Sequence, residues 1–302
     1  MKLALKIDVE TYRGTRKGVP RLVETLKRSG AGATFLFSLG PDHTGRAINR
    51  LFRRGFLAKA WRTSALRHYG LVTLLYGTLL PGPEIGRRCA DLLRRVRDAG
   101  FEVGVHCWDR VKWQDGVAAA GAAWTEAQMR RARDRFTEIF GEPPRVHGAA
   151  DWQMNRYAFR LTQRLGFDYS SDTRGRFPFI PMCEAELIAC PQLPTTLPTL
   201  DELIGRDGIT PANVHELVLE LSAAPSATGH VFTARAELEG MRLLPVLERL
   251  LAGWRGLGYE IVPMRALAEN LAPKAVPHYT VTVEAIPGRP ETLVMQGAPF
   301  LT

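Results

Sequence analysis

Short apolar runs alternate along this chain with stretches in which apolar positions recur every three or four residues. The first pattern predicts strands at 3–8, 33–39, 101–106, 145–149, 167–171, 230–234 and 259–263. The second predicts helices at 19–28, 84–99, 126–140, 156–165, 214–222 and 241–254, with a short one ending at Leu271. Gly100 closes the helix over 84–99, and Thr125 reads as the N-cap of the helix over 126–140, with Gln128 as its capping-box partner. Regular alternation of strand and helix favours a parallel sheet, either closed as a barrel or open and doubly wound. No G-x-G-x-x-G follows the first strand and no G-x-x-x-x-G-K-[ST] occurs, so nucleotide-binding folds lose their support. Polar residues stand just after several strands: Asp8 and Glu10, His106, Asp172, and Arg235 with Glu237. A barrel gathers its strand C-termini at one mouth, and the α/β barrel is the fold expected, over residues 1–271. Residues 272–302 carry no usable signal and read as a C-terminal tail.

With 302 residues and 45% hydrophobic side chains, the chain can bury a sizeable core and is neither disordered nor collagen-like. Cys89, Cys107, Cys183 and Cys190 form no C-x-x-C pair, which argues against a zinc ribbon or a disulfide framework. The N-terminus meets a charge at Asp8 and shows no cleavage site, so no signal peptide is read and a cytoplasmic protein is expected. The net charge of +9 is unevenly spread: between His43 and Pro83 there is no acid, but there are Arg46, Arg50, Arg53, Arg54, Lys59, Arg62 and Arg67. The remainder holds 33 basic and 31 acidic residues and is nearly balanced. Within that acid-free segment Ile48, Leu51, Phe52 and Phe56 follow helical spacing, and most of the arginines fall elsewhere on the wheel. Trp61, Tyr69, Leu74, Leu75 and Tyr76 add apolar and aromatic surface. Residues 43–83 therefore read as an inserted amphipathic segment suited to the inner-membrane surface, the alternative being a surface helix docked on the barrel. No nucleic-acid-reading module accompanies the charge, so no nucleic-acid partner is expected.

In Asp8-Val9-Glu10 the carboxylates at i and i+2 of an extended chain point the same way and can share one pocket. Such a pair suits a division of labour between metal binding and proton removal from water, or else simply a solvated strand end. His106 at a strand end is a candidate metal ligand, although Arg110 occupies the i+4 position where a second histidine would complete a pair. Arg13 and Arg174 could hold a substrate phosphate through the guanidinium fork, or could pair with local carboxylates.

The strings K-I-D-V-E-T-Y-R-G-T, H-C-W-D-R, G-A-A-D-W-Q, Y-S-S-D-T-R-G, Q-L-P-T-T-L-P-T-L-D-E-L-I-G-R-D and F-T-A-R-A-E-L-E-G occur in that order. Over roughly residues 1–270 the chain resembles the 4-deoxy-4-formamido-L-arabinose-phosphoundecaprenol deformylase branch of the polysaccharide deacetylase (carbohydrate esterase family 4) proteins. The resemblance implies a distorted (β/α) barrel, a divalent metal ion and hydrolysis of an amide. The substrate it implies is a formamido sugar joined through phosphate to a polyprenol, in the aminoarabinose modification of lipid A that confers polymyxin resistance. It makes Asp8 the general base, Glu10 and His106 metal ligands, and Trp152 and Asp172 part of the substrate pocket.

The departures from the family pattern are specific. Glu10 stands where Asp is usual, Arg110 replaces the second ligating histidine, Gln153 stands where many relatives have a base-orienting arginine, and Arg235 replaces the general-acid histidine. Arginine cannot be deprotonated in proteins and so cannot ligate, although it can stabilise an oxyanion. Asp109 and His147 are the nearest candidates to substitute. Two readings follow: a metal-dependent deformylase, and a catalytically impaired relative that binds a lipid-linked sugar without turning it over.

Overall fold

The computed structural model describes residues 1–47, 71–224, 226–271, 276–289 and 291–300. At its centre lies β1 (Lys2–Val9), buried along nearly its whole length. It pairs in parallel with β2 (Thr34–Ser38), β8 (His230–Arg235) and the short β9 (Glu260–Val262). Beyond β2 the sheet continues in parallel through β3 (Glu102–Cys107), β4 (Val146–His147) and β5 (Tyr169–Ser170). The strand order is β5-β4-β3-β2-β1-β8. Between the outer strands β5 and β8 runs an irregular extended segment over 191–197. Leu193 N–H donates to Ser170 O at 2.7 Å on one side, and Thr196 N–H to Val231 O at 3.0 Å on the other. This seam closes the sheet into the distorted barrel expected from the sequence.

Alternation along β1 decides what reaches the site. Leu3, Leu5, Ile7 and Val9 face outward and pack under the helices, whereas Ala4 joins Leu36, Val146, Leu193, Val231 and Val262 inside the barrel. Lys6 and Asp8 continue that inner face toward the C-terminal mouth. Gly148 makes room for them: a Cβ there would sit 2.3 Å from Leu36 Cδ1 and 3.5 Å from Lys6 Nζ.

The helices largely follow the apolar periodicity, at Val19–Ser29, Ala122–Phe140, Arg156–Arg164, Val214–Ala223 and Leu244–Gly256. Two expectations are corrected. The single helix over 84–99 is broken at Cys89 into Ile85–Arg88 and Ala90–Asp98. The helix expected to begin after Thr125 begins at Ala122 with Gly121 as N-cap; the helix-favouring Ala122-Ala123 pair extends it, and Thr125 Oγ1 bonds back to Gly121 O at 3.0 Å.

Residues 272–302, read from sequence only as a tail, contribute two eight-residue strands. β10 (His278–Ala285) and β11 (Thr292–Pro299) pair with each other and with β6 (Ile180–Cys183), which in turn pairs with β7 (Glu186–Leu187). This small sheet docks at the barrel mouth, where Arg174 N–H donates to Val294 O and Gln296 N–H to Arg174 O.

The acid-free segment leaves and re-enters at the same rim, through a bridge between Pro41 and Glu84 and a bond from Asp42 N–H to Pro83 O. Its amphipathic stretch, including Ile48, Arg50, Leu51, Phe52, Arg53, Arg54, Phe56, Trp61 and Tyr69, lies outside the described residues. In the described flank, Val72 is 56% exposed and Leu79 80% exposed, with Leu75 and Leu80 beside them in sequence and also exposed. Among the described residues no helix is long and apolar enough to cross a membrane. All four cysteines are free thiols.

Candidate active site

Three of the residues singled out in the sequence meet at the barrel mouth. Asp8 ends the inner face of β1, Glu10 follows it, and His106 comes from β3 two strands away. His106 Nδ1 lies 3.7 Å from Asp8 Oδ1, and its Nε2 lies 4.0 Å from Glu10 Oε1; all three side chains are buried. Nδ1 is also 2.7 Å from Gly148 O. A carbonyl can only accept, so Nδ1 carries the hydrogen and Nε2 presents its lone pair. Burial pushes the His106 pKa down, outweighing the opposing pull of Asp8 and Glu10. Asp8 Oδ1, Glu10 Oε2 and His106 Nε2 have no hydrogen-bond partner: three acceptors in one buried place.

Beneath them lies Lys6, fully buried. Its ammonium donates to Ser171 O at 3.0 Å, sits 3.7 Å from Asp8 Oδ2 and lies over the Trp152 ring. Burial lowers its pKa, and Asp8 opposes that shift. A lysine inside the apolar run Leu3-Ala4-Leu5-Lys6-Ile7 is a signal that sequence reasoning passed over.

The arginines surround Glu10. Arg110, first residue of the helix Arg110–Gly116, places Nε 3.4 Å from Glu10 Oε2. Arg235, in register with Asp8 across β8, places Nε 3.7 Å from Glu10 Oε1. Both also face Asp151, Arg110 at 3.9 Å and Arg235 at 3.2 Å, and Arg235 reaches Asp201 at 3.1 Å. A further arginine, Arg289, arrives from the turn between β10 and β11. It contacts Asp151 at 3.0 Å and Glu202 at 2.6 Å. Gly288 makes that approach possible, since a Cβ there would lie 2.3 Å from Glu202 O. Burial would raise the Asp151 pKa, but Arg235, Arg289 and Arg110 together hold it well below the usual carboxylate range. Asp151 and Trp152 both adopt left-handed backbone, φ 50° and 52°. Such geometry costs about 1–3 kcal/mol per residue and persists only where the surroundings enforce it.

The other sequence candidates divide between pocket and scaffold. Trp152 is buried, donates Nε1–H to Thr195 Oγ1 at 3.1 Å and is stacked by the guanidinium groups of Arg174 and Arg289. Arg174 is committed inside the protein, to Glu202 at 2.7 Å and to the carbonyls of Leu197 and Thr195. Asp172 accepts from Ala149 N–H, His147 Nδ1 and Gln192 Nε2, and although burial opposes it these bonds lower its pKa. His147 is thereby bound to Asp172, and Asp109 caps the helix at Arg110 while bonding His43 at 2.6 Å, so both candidate substitutes hold other partners. Gln153 is half-buried, and its carbonyl receives Trp113 Nε1–H. Arg13 is half-buried just before the turn Gly14–Gly18. Glu237 supports Glu10 from behind: its Oε1 accepts from the N–H groups of Glu10 and Thr11, and burial and the Glu10 charge push its pKa up to about 7.

The resemblance to metal-dependent deacetylases can be tested against these donors. The site offers one imidazole nitrogen and the carboxylates of Asp8 and Glu10. Among the described residues no three His, Cys, Asp or Glu side chains are disposed to hold a metal ion. Each oxygen of Glu10 already faces a guanidinium. An ion ligated by Glu10 would lie within about 5 Å of two fixed positive charges, each opposing it by roughly 7 kcal/mol at an effective dielectric of about 20. The charges at the mouth also balance without one: Asp8, Glu10, Asp151, Asp201 and Glu202 face Lys6, Arg110, Arg174, Arg235 and Arg289. The residues present do not fit a divalent ion.

A sequence profile described as polysaccharide deacetylase matches residues 3–170. The chain is 39% identical over 269 residues to a probable 4-deoxy-4-formamido-L-arabinose-phosphoundecaprenol deformylase of Shewanella sediminis, covering 89% of this chain and 86% of that one. A protein of the same name from Wigglesworthia glossinidia brevipalpis is 30% identical over 280 residues, covering 91% and 96% of the two chains. Among solved structures, a putative polysaccharide deacetylase from Mycobacterium smegmatis superposes with a TM-score of 0.63 at 17% identity, covering 94% of this chain and 95% of that one. The last likeness is one of fold; the sequence matches carry the kinship, and the chain belongs to the polysaccharide deacetylase family.

Proposed function

We propose that this chain hydrolyses the formamide of a 4-deoxy-4-formamido-L-arabinose carried on undecaprenyl phosphate, releasing formate and leaving the free amine. What carries the reading is the convergence of three buried acceptors, Asp8 Oδ1, Glu10 Oε2 and His106 Nε2, at the mouth of a chain 39% identical to a probable deformylase of that substrate. A water can give one hydrogen to Asp8 Oδ1 and the other to His106 Nε2, so both protons meet a base. As the water oxygen bonds to the formyl carbon, Asp8 takes a proton and the carbonyl electrons move onto oxygen. Asp8 returns its proton to the nitrogen as the C–N bond breaks, and the second water hydrogen passes through His106 Nε2 to the same nitrogen, giving an ammonium group and formate. Trp152, covered by Lys6, Arg174 and Arg289, supports the mouth from behind.

The polyprenol keeps its substrate in a bilayer, so the mouth must work at a lipid surface. Val72, Leu75, Leu79 and Leu80, on the excursion that starts and ends at the rim, supply apolar contacts for that, and the sequence of the same excursion is basic, which suits anionic lipid.

The experiment is formate release from the lipid-linked formamido sugar in detergent micelles. Wild type should release formate, and Asp8→Asn should lower kcat by about 10²-fold or more with the fold retained. A wild-type protein that binds the substrate but releases no formate would overturn the hydrolase reading in favour of a binding role, which the pairing of Arg110 and Arg235 with Glu10 would then explain.

A further inference from the structure

We propose that Arg110 and Arg235 together stand in for a divalent cation, so that the Asp8–Glu10–His106 site works with a pair of guanidinium groups and binds no metal ion. Two guanidinium groups carry the same total charge as one divalent ion. They are placed on either side of the carboxylate that would otherwise ligate it, 3.4 Å from one oxygen of Glu10 and 3.7 Å from the other. They come from separate elements, the helix after β3 and the end of β8, and Asp151 ties them together at 3.9 and 3.2 Å. Asp151 is itself held in left-handed backbone and clamped by Arg289. The pair is therefore fixed before any substrate arrives, as an electrostatic device must be to act without reorganisation.

The substitution changes the division of labour. A guanidinium can neutralise Glu10 and receive the developing oxyanion through N–H groups, but it cannot bind water directly and acidify it as a metal does. Proton removal then falls wholly on Asp8 and His106, because both oxygens of Glu10 face guanidinium groups. Exclusion of metal stands independently of the hydrolysis; reception of the carbonyl oxygen rests on it.

The test is metal uptake by full-length protein. After dialysis against a chelator, wild type is equilibrated with zinc, manganese or cobalt and analysed for bound metal. Wild type should retain well under one equivalent, about 0.1 or less, with no saturable rise in melting temperature. The double variant Arg110→His/Arg235→His removes two positive charges and should take up about one equivalent. Uptake of about one equivalent by wild type would overturn the proposal, as would formate release abolished by chelator and restored by one of these ions. A folded double variant that takes up nothing would also overturn it, because the arginines would then not be what excludes the ion. Should that variant fail to fold, wild-type uptake decides alone. Wild type that binds no metal and releases no formate would leave the cation replacement standing and remove only the hydrolase reading.

Discussion

Glu239 shows how a single buried acid sets a property of the protein. Burial, reinforced by Asp201, raises its pKa from the ordinary 4.5 to about 8, while the Arg235 N–H that it accepts and the Arg235 charge pull the other way. The folded chain therefore binds this proton more tightly than the unfolded one. Stability gained from it is complete below about pH 4.5 and is lost as pH rises through 8. Glu239→Gln cannot ionise, so its melting temperature should fall less than that of wild type between pH 5 and pH 9 and should exceed it at pH 9. Parallel melting curves across that range would sink this account. The same scale marks where the sequence was informative about the site. Asp8, Glu10 and His106 stand out because they interrupt apolar runs at strand ends, and the structure brings all three together. Arg289 does not stand out, because nothing local to it says what it will meet.

Among the elements the sequence failed to announce, the hairpin of β10 and β11 is the longest. β10 alternates apolar and polar residues from Tyr279 to Ala285, a strand signal that went unread, and its pairing partner β6 is about 100 residues away. The Pro287-Gly288 dipeptide between two stretches of similar length was a second clue. The barrel strands and most helices were legible because they are buried on one stripe or on both faces, and burial writes itself into periodicity. The turn of the hairpin brings Arg289 to Asp151 and Glu202. Arg289→Ala would leave Asp151 and Glu202 each short of a charged partner, and urea unfolding should show a loss of about 3 kcal/mol, the scale for breaking a buried pair. Val283→Ser on the same hairpin, at a site 66% exposed, should leave stability unchanged within about 0.5 kcal/mol. Equal effects of the two substitutions would show that the hairpin matters as a whole and not through Arg289.

For the whole molecule, the question is how the barrel mouth would meet the lipid-anchored substrate proposed above. The net charge of +9 resolves into a nearly balanced barrel and one acid-free excursion that begins and ends beside the site. Leu79→Asp with Leu80→Asp should weaken flotation with anionic phospholipid vesicles by at least about tenfold, given 1.5–3 kcal/mol for burying each leucine, with little change in melting temperature. Undiminished flotation would place the lipid contact elsewhere on the protein. The balance of charge at the mouth has a further consequence, for descent rather than for chemistry. Because the arginines there share one set of buried carboxylates, a change at any one position leaves acids short of charge in a dry environment. Routes through sequence space between this site and a metal-holding one therefore run in paired steps, with Arg110 and Arg235 exchanged together or with their acids. Measured singly, such exchanges would look forbidden, and their strong non-additivity would be the trace of a site whose parts can only be inherited as a set.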